Sequence, residues 1–182
     1  MNLVIIAVVL IAILGFVWFL YNSIIVAKLR INEALSQIDV QLKRRTDLIP
    51  NLIETVKGYA KHEKQLFEQV TKERASLVKA TSVEEKAKVN NQLTETFKSI
   101  FAVAEAYPQL RASENFMQLQ EEVSDTEDKI AYSRQFYNSN VLDYNTKLAV
   151  FPNVLIANLL GFKPAEFFAA TEEEKKAVKV SF

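Results

Sequence analysis

Apolar and polar positions divide this chain into one unbroken apolar run followed by a series of helical stripes. The run extends from Leu3 to Ser23 and contains no charged side chain. An α-helix needs about 20 apolar residues to cross the hydrocarbon layer of a membrane. The run therefore predicts a transmembrane helix, and we expect the protein to contact membrane lipid through residues 3–25.

A cleaved signal peptide is the alternative interpretation of this run. Against it, no Lys or Arg precedes the run, the apolar stretch is too long, and no A-x-A-like cleavage site follows. We therefore interpret residues 1–27 as an uncleaved signal anchor that forms a domain of its own.

The residues at the end of the run predict the orientation of the anchor. Trp18 and Tyr21 lie where amphipathic rings favour the headgroup level, and Lys28 and Arg30 follow closely. These four residues are the predicted membrane-interface residues. Basic residues are enriched on the cytoplasmic side of a span. We thus expect a single-pass protein of the bacterial cell (inner) membrane with its N-terminus outside and its C-terminal domain in the cytoplasm.

From Ile31 onward, apolar residues recur at intervals of three and four, which is typical of amphipathic helices. The first stripe predicts one helix that continues to about Ala80. Ser82 and Glu85 then have the spacing of a capping box, so a second helix begins there. Pro108 ends this second helix because proline cannot donate a backbone hydrogen bond.

A third long helix is predicted after Ser113 and extends to the "FPN" sequence at 151–153. A short helix from Val154 to Leu160 follows, with Gly161 as its C-cap. Only three glycines and four prolines occur, which favours few, long helices over many strands. The predicted fold class is all-α: a transmembrane helix, then a domain over 28–182 in which three long helices and a short C-terminal one form an antiparallel bundle.

Composition and motifs exclude several classes of function. The 22 basic and 22 acidic residues give a net charge of zero, so a nucleic-acid partner is not expected. Cysteine is absent, which excludes disulfides and thiolate chemistry. No phosphate-binding glycine loop or nucleophile motif occurs. We therefore expect no enzymatic activity, no catalytic residue and no cofactor.

An acidic stretch in the third helix contains Glu121, Glu122 and Asp125, and could in principle bind Mg²⁺ or Ca²⁺ through oxygen ligands. Di-iron bundles require a Glu-x-x-His pair, which is absent, and His62 is the only histidine. A charged run on a helix is usually a solvated face. We expect no metal site and treat the three acidic residues as candidates for structural or interaction roles.

The sequence "LKRRTDLIPNL" from Leu42 to Leu52 places three cations and a proline within the first stripe. The heptad phase puts Arg45 on the apolar face, whereas Lys43 and Arg44 point away. Arg45 either forms a buried ion pair or packs its stem while its charge reaches solvent. For the ion pair, the expected partners are carboxylates of the third helix, namely Glu114, Glu121, Glu122 and Asp125.

Pro50 removes one backbone hydrogen bond from the predicted first helix. Because the stripe keeps its phase on both sides, the helix can bend and resume, with Thr46 or Asp47 capping the new start. A complete break with Pro50 at the first position of a new helix is the alternative. Arg45 and Pro50 are therefore candidates for structural or interaction roles.

Several strings resemble the LemA family of bacterial membrane proteins. They are "SQIDVQLKRRTDLIPNLIETVKGYAKHE" at 36–63, "AYPQLRASENFMQLQEEVSDTEDKIAYSRQFYNSNVLDYN" at 106–145, "FPNVLIANLLGF", "EFF" and the terminal "VKVSF". The resemblance covers nearly all of the chain after the predicted span. It implies an N-terminally anchored, all-helical cytoplasmic domain without an established enzymatic activity, and it carries over no catalytic residues.

The predicted function is that of a membrane-anchored, non-enzymatic helical scaffold or adaptor at the bacterial cell membrane. We expect a homo-oligomer with a further protein partner, which the sequence does not identify. Two alternatives remain open. One is a module that signals the state of the membrane through a hinge at Pro50, and the other is a carboxylate-dependent metal enzyme.

Overall fold

The computed structural model describes residues 2–168, and this part of the chain is helical with short connections. The helices are α1 (Asn2–Lys57), α2 (Lys64–Lys79), α3 (Val83–Glu105), α4 (Pro108–Arg111), α5 (Glu114–Ala149) and α6 (Asn153–Leu160). No strand occurs between residues 2 and 168. The all-α prediction is confirmed for these residues, whereas the terminal "VKVSF" string lies outside them.

The first helix differs from the prediction at its C-terminal end. α1 ends at Lys57, so the expected continuous helix to Ala80 is wrong. Backbone bonds from Gly58 N–H to the Glu54 carbonyl and from Ala60 N–H to the Val56 carbonyl close the last turn. Tyr59 kept the apolar spacing intact in the sequence, but it lies in this turn and is 43% exposed. Across this turn, the spacing of apolar residues by three and four therefore does not indicate a continuous helix.

Other helix ends agree with the sequence signals. The Ser82 hydroxyl accepts a hydrogen bond from Glu85 N–H at 3.1 Å, and the Glu85 carboxylate accepts one from Ser82 N–H at 3.3 Å. This reciprocal pair is the predicted capping box. Gly161 has φ 70°, the left-handed conformation of a helix C-cap that glycine adopts without steric cost. α3 ends at Glu105, shortly before Pro108, and Pro108 is the first residue of the short α4. The sequence did not predict α4.

The described chain forms two compact units. The first unit contains residues 2–36 and 135–167, and the second contains residues 37–134 and 168. This division follows packing and does not test the predicted domain boundary after residue 27, which stays a prediction.

In the second unit, α2 runs antiparallel to the part of α1 that belongs to this unit. Arg74 contacts the Thr46 carbonyl, whereas Lys57 lies over the Phe67 ring, so residue numbers rise in α1 as they fall in α2. The core of this unit combines fully buried side chains from its helices. These include Ile49, Leu52, Val56, Val70, Leu93, Phe97, Ile100 and Val123.

In the first unit, three side chains of α5 bind the backbone that follows α6. The Tyr137 hydroxyl donates to the Glu166 carbonyl at 2.9 Å, and the Tyr144 hydroxyl donates to the Lys163 carbonyl at 3.1 Å. The Asn145 amide both donates to the Ala165 carbonyl and accepts from its N–H. The non-helical segment 162–167 is therefore satisfied by side chains rather than by secondary structure.

Candidate functional site

Arg45 is the largest fully buried side chain among the described residues, with 1% exposure. It lies on α1 between the buried Leu42 and Ile49, where the heptad phase placed it. Its guanidinium donates to the Asn90 side-chain oxygen at 2.6 Å and to the Thr94 hydroxyl at 2.9 Å. Both partners belong to α3, so Arg45 links α1 to α3 inside the second unit.

The carboxylate that faces Arg45 is Glu127 of α5, at 3.6 Å from a guanidinium nitrogen. Glu127 was not among the four carboxylates predicted from the sequence, so that prediction is wrong. The alternative in which the Arg45 charge reaches solvent is also wrong, because the guanidinium is enclosed. The Glu127 carboxylate retains 41% exposure, so the pair joins a buried cation to a partly solvated anion.

The electrostatics at Arg45 are set mainly by desolvation. Burial lowers the pKa of Arg45 to about 10, the negative charge of Glu127 opposes this decrease, and the positive charge of Arg134 adds to it. The side chain therefore remains protonated at neutral pH. The Phe97 ring, whose centroid is 4.8 Å from the guanidinium carbon, adds a cation–π contact to the buried charge.

A polar cleft of about 230 Å³ opens beside this network. Its lining includes Arg45, Asn90, Asn91, Glu127 and Arg134. The Nε atom of Arg45 and the side-chain oxygen of Asn91 are buried without a hydrogen-bond partner. The charged contacts of Arg45 with Asn90, Thr94 and Glu127 hold α1, α3 and α5 in one register.

The two cations next to Arg45 lie outside the core, as the sequence predicted. Lys43 pairs with Asp47 one turn later on α1. Arg44 lies 3.3 Å from Asp125, which also accepts a hydrogen bond from Lys129 at 2.8 Å. The bond from Lys129 is the main cause that lowers the pKa of Asp125. Asp125 therefore takes part in an exposed ion-pair cluster between α1 and α5.

Pro50 lies within α1 and does not break the helix. The missing N–H of Pro50 would leave the Thr46 carbonyl, four residues earlier, without its helical donor. Arg74 of α2 donates its Nε–H to that carbonyl at 2.8 Å. The Thr46 hydroxyl donates to the Lys43 carbonyl instead of capping a new helix. The alternative of a complete break is therefore wrong, and a side chain from another helix replaces the lost backbone bond.

The remaining acidic candidates lie at the surface of α5. Glu121 is exposed and Glu122 is half-buried, and neither lies within ion-pair distance of Arg45. Between residues 2 and 168, no three histidine or carboxylate side chains are grouped so that they could hold a metal ion. His62 is exposed. The role of the acidic residues in interactions stays a prediction.

The predicted membrane-interface residues lie on α1 in the first unit. Trp18 is 70% exposed and Tyr21 is 40% exposed, and the Tyr21 ring is 6.2 Å from the Phe162 ring. Lys28 and Arg30 are exposed. Residues 2–19 are all exposed, and burial on α1 begins at Leu20. α1 is the one helix in the described chain that is long and apolar enough to cross a membrane.

Sequence reasoning missed the polar partners on other helices. Asn90 and Thr94 interrupt the apolar stripe of α3 four residues apart, and this interruption was a usable signal for a buried polar partner. Arg74 carried no comparable signal, because nothing in the spacing of α2 indicates contact with Thr46. Pairing Arg45 with Glu127 also required the register of α5 against α1, which a single sequence does not give.

Comparison with known proteins relates this chain to a family and to several individual proteins. The model of the LemA family matches residues 34–182. Protein LemA of Metamycoplasma hominis is 27% identical over 176 residues, covering 92% of this chain and 79% of the relative. The magnetosome protein MamQ of Magnetospirillum gryphiswaldense is 21% identical over 174 residues, covering 81% of this chain. The match spans 64% of MamQ, so this chain corresponds to less than two thirds of that relative.

Proposed function

The chain belongs to the LemA family, and from that premise we propose that it is a non-enzymatic helical scaffold or adaptor anchored in the bacterial cell membrane. Family membership, the relationship to MamQ and the apolar helix together indicate a membrane-associated helical protein. The scaffold role, the oligomeric state and the orientation in the membrane are the parts that we propose.

The exposure of the first part of α1 carries this proposal. Large apolar side chains from Leu3 to Phe19 are exposed along the helix, including Leu3 at 82% and Trp18 at 70%. Soluble proteins rarely expose a continuous apolar surface of this length. A bilayer covers such a surface at no cost, and the helix satisfies its own backbone hydrogen bonds within the hydrocarbon.

The orientation follows from the basic residues after the span. Lys28 and Arg30 are exposed in the first unit, and they follow the apolar run closely. We propose that the N-terminus lies outside and that the helices after α1 belong to the cytoplasmic part. A single span also concentrates the protein at the membrane surface, which favours self-association without a large interface.

The non-enzymatic part of the proposal is supported by what the charged side chains already do. Glu127 faces Arg45, and Asp125 contacts both Arg44 and Lys129. These carboxylates stabilise contacts between helices. The hydrogen bond from Lys129 lowers the pKa of Asp125, which is the opposite of the shift that a general acid needs. Exposed apolar residues on the helices, such as Val40, Val78 and Tyr132, provide contact area for a second copy or a partner.

Disulfide crosslinking in native membranes tests self-association, because the chain has no cysteine of its own. Single-cysteine variants Val40→Cys, Val78→Cys and Tyr132→Cys place a thiol on three exposed apolar positions. Lys88→Cys is the matched control at an exposed polar position of α3. We expect at least one apolar position to form dimers at cellular abundance and the control to remain monomeric. Monomers at all three positions would contradict self-assembly.

A membrane-state signalling module is the second candidate, and one observation favours it. Pro50 interrupts the backbone hydrogen bonding of α1, and Arg74 replaces the missing bond from another helix. If the Arg74 contact broke, the Thr46 carbonyl would lose its hydrogen-bond donor, and α1 would bend more easily there. Such a point could act as a hinge between two states of the helix.

A further inference from the structure

α6 leaves large apolar side chains exposed on one side while it packs on the other. Ile156 and Ala157 are buried, whereas Leu155 is 60% exposed and Leu159 is 79% exposed. Leu160 at 53% and Phe151 at 79%, just before the helix, extend the exposed apolar side chains. Asn153 and Asn158 are the polar residues of α6. A helix that is apolar all round is normally covered on all sides, by protein or by lipid.

The position of α6 within the first unit identifies what covers it. Phe162 follows α6 closely in the chain, and its ring centroid is 6.2 Å from that of Tyr21. Tyr21 lies at the C-terminal end of the apolar run, where the hydrocarbon gives way to headgroups. Burial on α1 begins at Leu20, with 7% exposure, and is complete at Ile24. Protein therefore begins to cover α1 in the last turn of the span, and the end of α6 lies at this level.

We propose that α6 and Phe151 insert into the membrane interface beside the α1 span, so that the protein contacts the bilayer at two places. Leu155, Leu159 and Phe151 would enter the boundary between headgroups and acyl chains. Lys163, exposed just after Phe162, and Lys28 on α1 would face the phosphates of anionic lipids. This inference rests on the proposed function, because it requires α1 to span the membrane.

Tryptophan fluorescence with lipid-attached quenchers tests this contact, because Trp18 is the one tryptophan of the chain. The full-length protein is reconstituted in phosphatidylcholine and phosphatidylglycerol vesicles that carry a doxyl quencher near the top of the acyl chain. Wild-type Trp18 reports on the span. The double variant Trp18→Phe/Leu159→Trp reports on α6.

The variant Trp18→Phe/Leu142→Trp is the matched control. Leu142 is an apolar residue of the same unit with 60% exposure, and it lies on α5. It precedes the end of α5 at Ala149 by about 10 Å of helix rise. We expect at least a twofold loss of emission at positions 18 and 159 and little loss at position 142.

The outcomes separate this inference from the proposed function. Quenching at position 18 with none at position 159 would overturn the interfacial insertion of α6 and leave the anchor in place. Emission at position 159 that is blue-shifted but insensitive to the doxyl lipid would also overturn the inference, because a protein surface would then cover α6. A tryptophan at position 18 that escapes quenching would overturn the membrane anchor and the inference that rests on it.

Discussion

Arg45 shows how far residue-level reasoning reaches in this protein. Heptad spacing alone places Arg45 on the inward face of α1, which Leu42 and Ile49 define, but the spacing left open whether the charge is buried or reaches solvent. Its partners do not follow, because they depend on how α3 and α5 align with α1. A buried ion pair contributes little net stability, since desolvation offsets much of the attraction. We infer that Arg45 mainly fixes the alignment of three helices, as each of its polar contacts is directional.

Replacing Arg45 by Met tests this role. Met keeps an unbranched apolar stem but leaves the buried Asn90 side chain and the Thr94 hydroxyl without their donor. We expect the free energy of unfolding to decrease by about 2 kcal/mol. Urea unfolding of the full-length protein in detergent, followed by far-ultraviolet circular dichroism, measures this change.

Arg44→Met is the control for the Arg45 variant. Arg44 is 43% exposed and its ion pair with Asp125 is solvated, so we expect a change within about 0.5 kcal/mol. If Arg45→Met were as stable as the wild type or more stable, desolvation of the charge would outweigh its contacts. That result would contradict the role given to Arg45.

Tyr137 and Tyr144 give a prediction at alkaline pH. Burial is the main cause that raises the pKa of both hydroxyls above 10.0. The unfolded chain then loses these protons first, so stability is retained below pH 10 and decreases as the pH rises further.

We expect Tyr137→Phe/Tyr144→Phe to be less stable by about 2 kcal/mol at pH 8, because two hydrogen bonds are lost. The double variant should lose less additional stability than the wild type between pH 8 and about 11. Parallel pH profiles would contradict this assignment.

At the scale of the element, α1 shows which boundaries the sequence can and cannot predict. The capping box at Ser82 and the glycine cap at Gly161 are local signals, and both predictions are confirmed. The end of α1 at Lys57 was missed because Tyr59 extended the apolar spacing into a turn. The continuity of α1 through Pro50 depends on a donor from α2, and no local pattern could reveal it.

A double-mutant cycle tests whether Arg74 compensates for Pro50. Pro50→Ala restores a backbone donor for the Thr46 carbonyl, and we expect a gain of about 1 kcal/mol. Arg74→Met removes the compensating donor and should cost about 1 kcal/mol in the wild-type background. The cost should be smaller in the Pro50→Ala background, with a coupling of about 0.5 kcal/mol.

Lys72→Met is the matched control on the same helix, because Lys72 is exposed. We expect it to show no coupling to Pro50→Ala in the same unfolding measurement. Equal costs of Arg74→Met in both backgrounds would mean that the Arg74 contact does not replace the lost backbone bond.

At the scale of the whole molecule, sequence predicted the family, the helical class and the apolar helix. These depend on composition and on patterns that extend along the chain, so they can be predicted without knowing which residues are in contact. The antiparallel bundle over 28–182 and the oligomer stay predictions, because both depend on contacts that no pattern in one sequence reports. The sequence also did not reveal that one side of α6 is exposed, because its apolar residues are typical of a core helix.

The central claim is that α1 crosses the membrane once and leaves the following helices in the cytoplasm. Cysteine labelling tests it most directly, since the chain has no native cysteine. Asn2→Cys and Val78→Cys are treated with a membrane-impermeant maleimide in intact bacterial cells. We predict labelling of position 2 in intact cells and of position 78 only after the membrane is permeabilised. Labelling of position 78 in intact cells, or recovery of the protein in the soluble fraction, would contradict the claim.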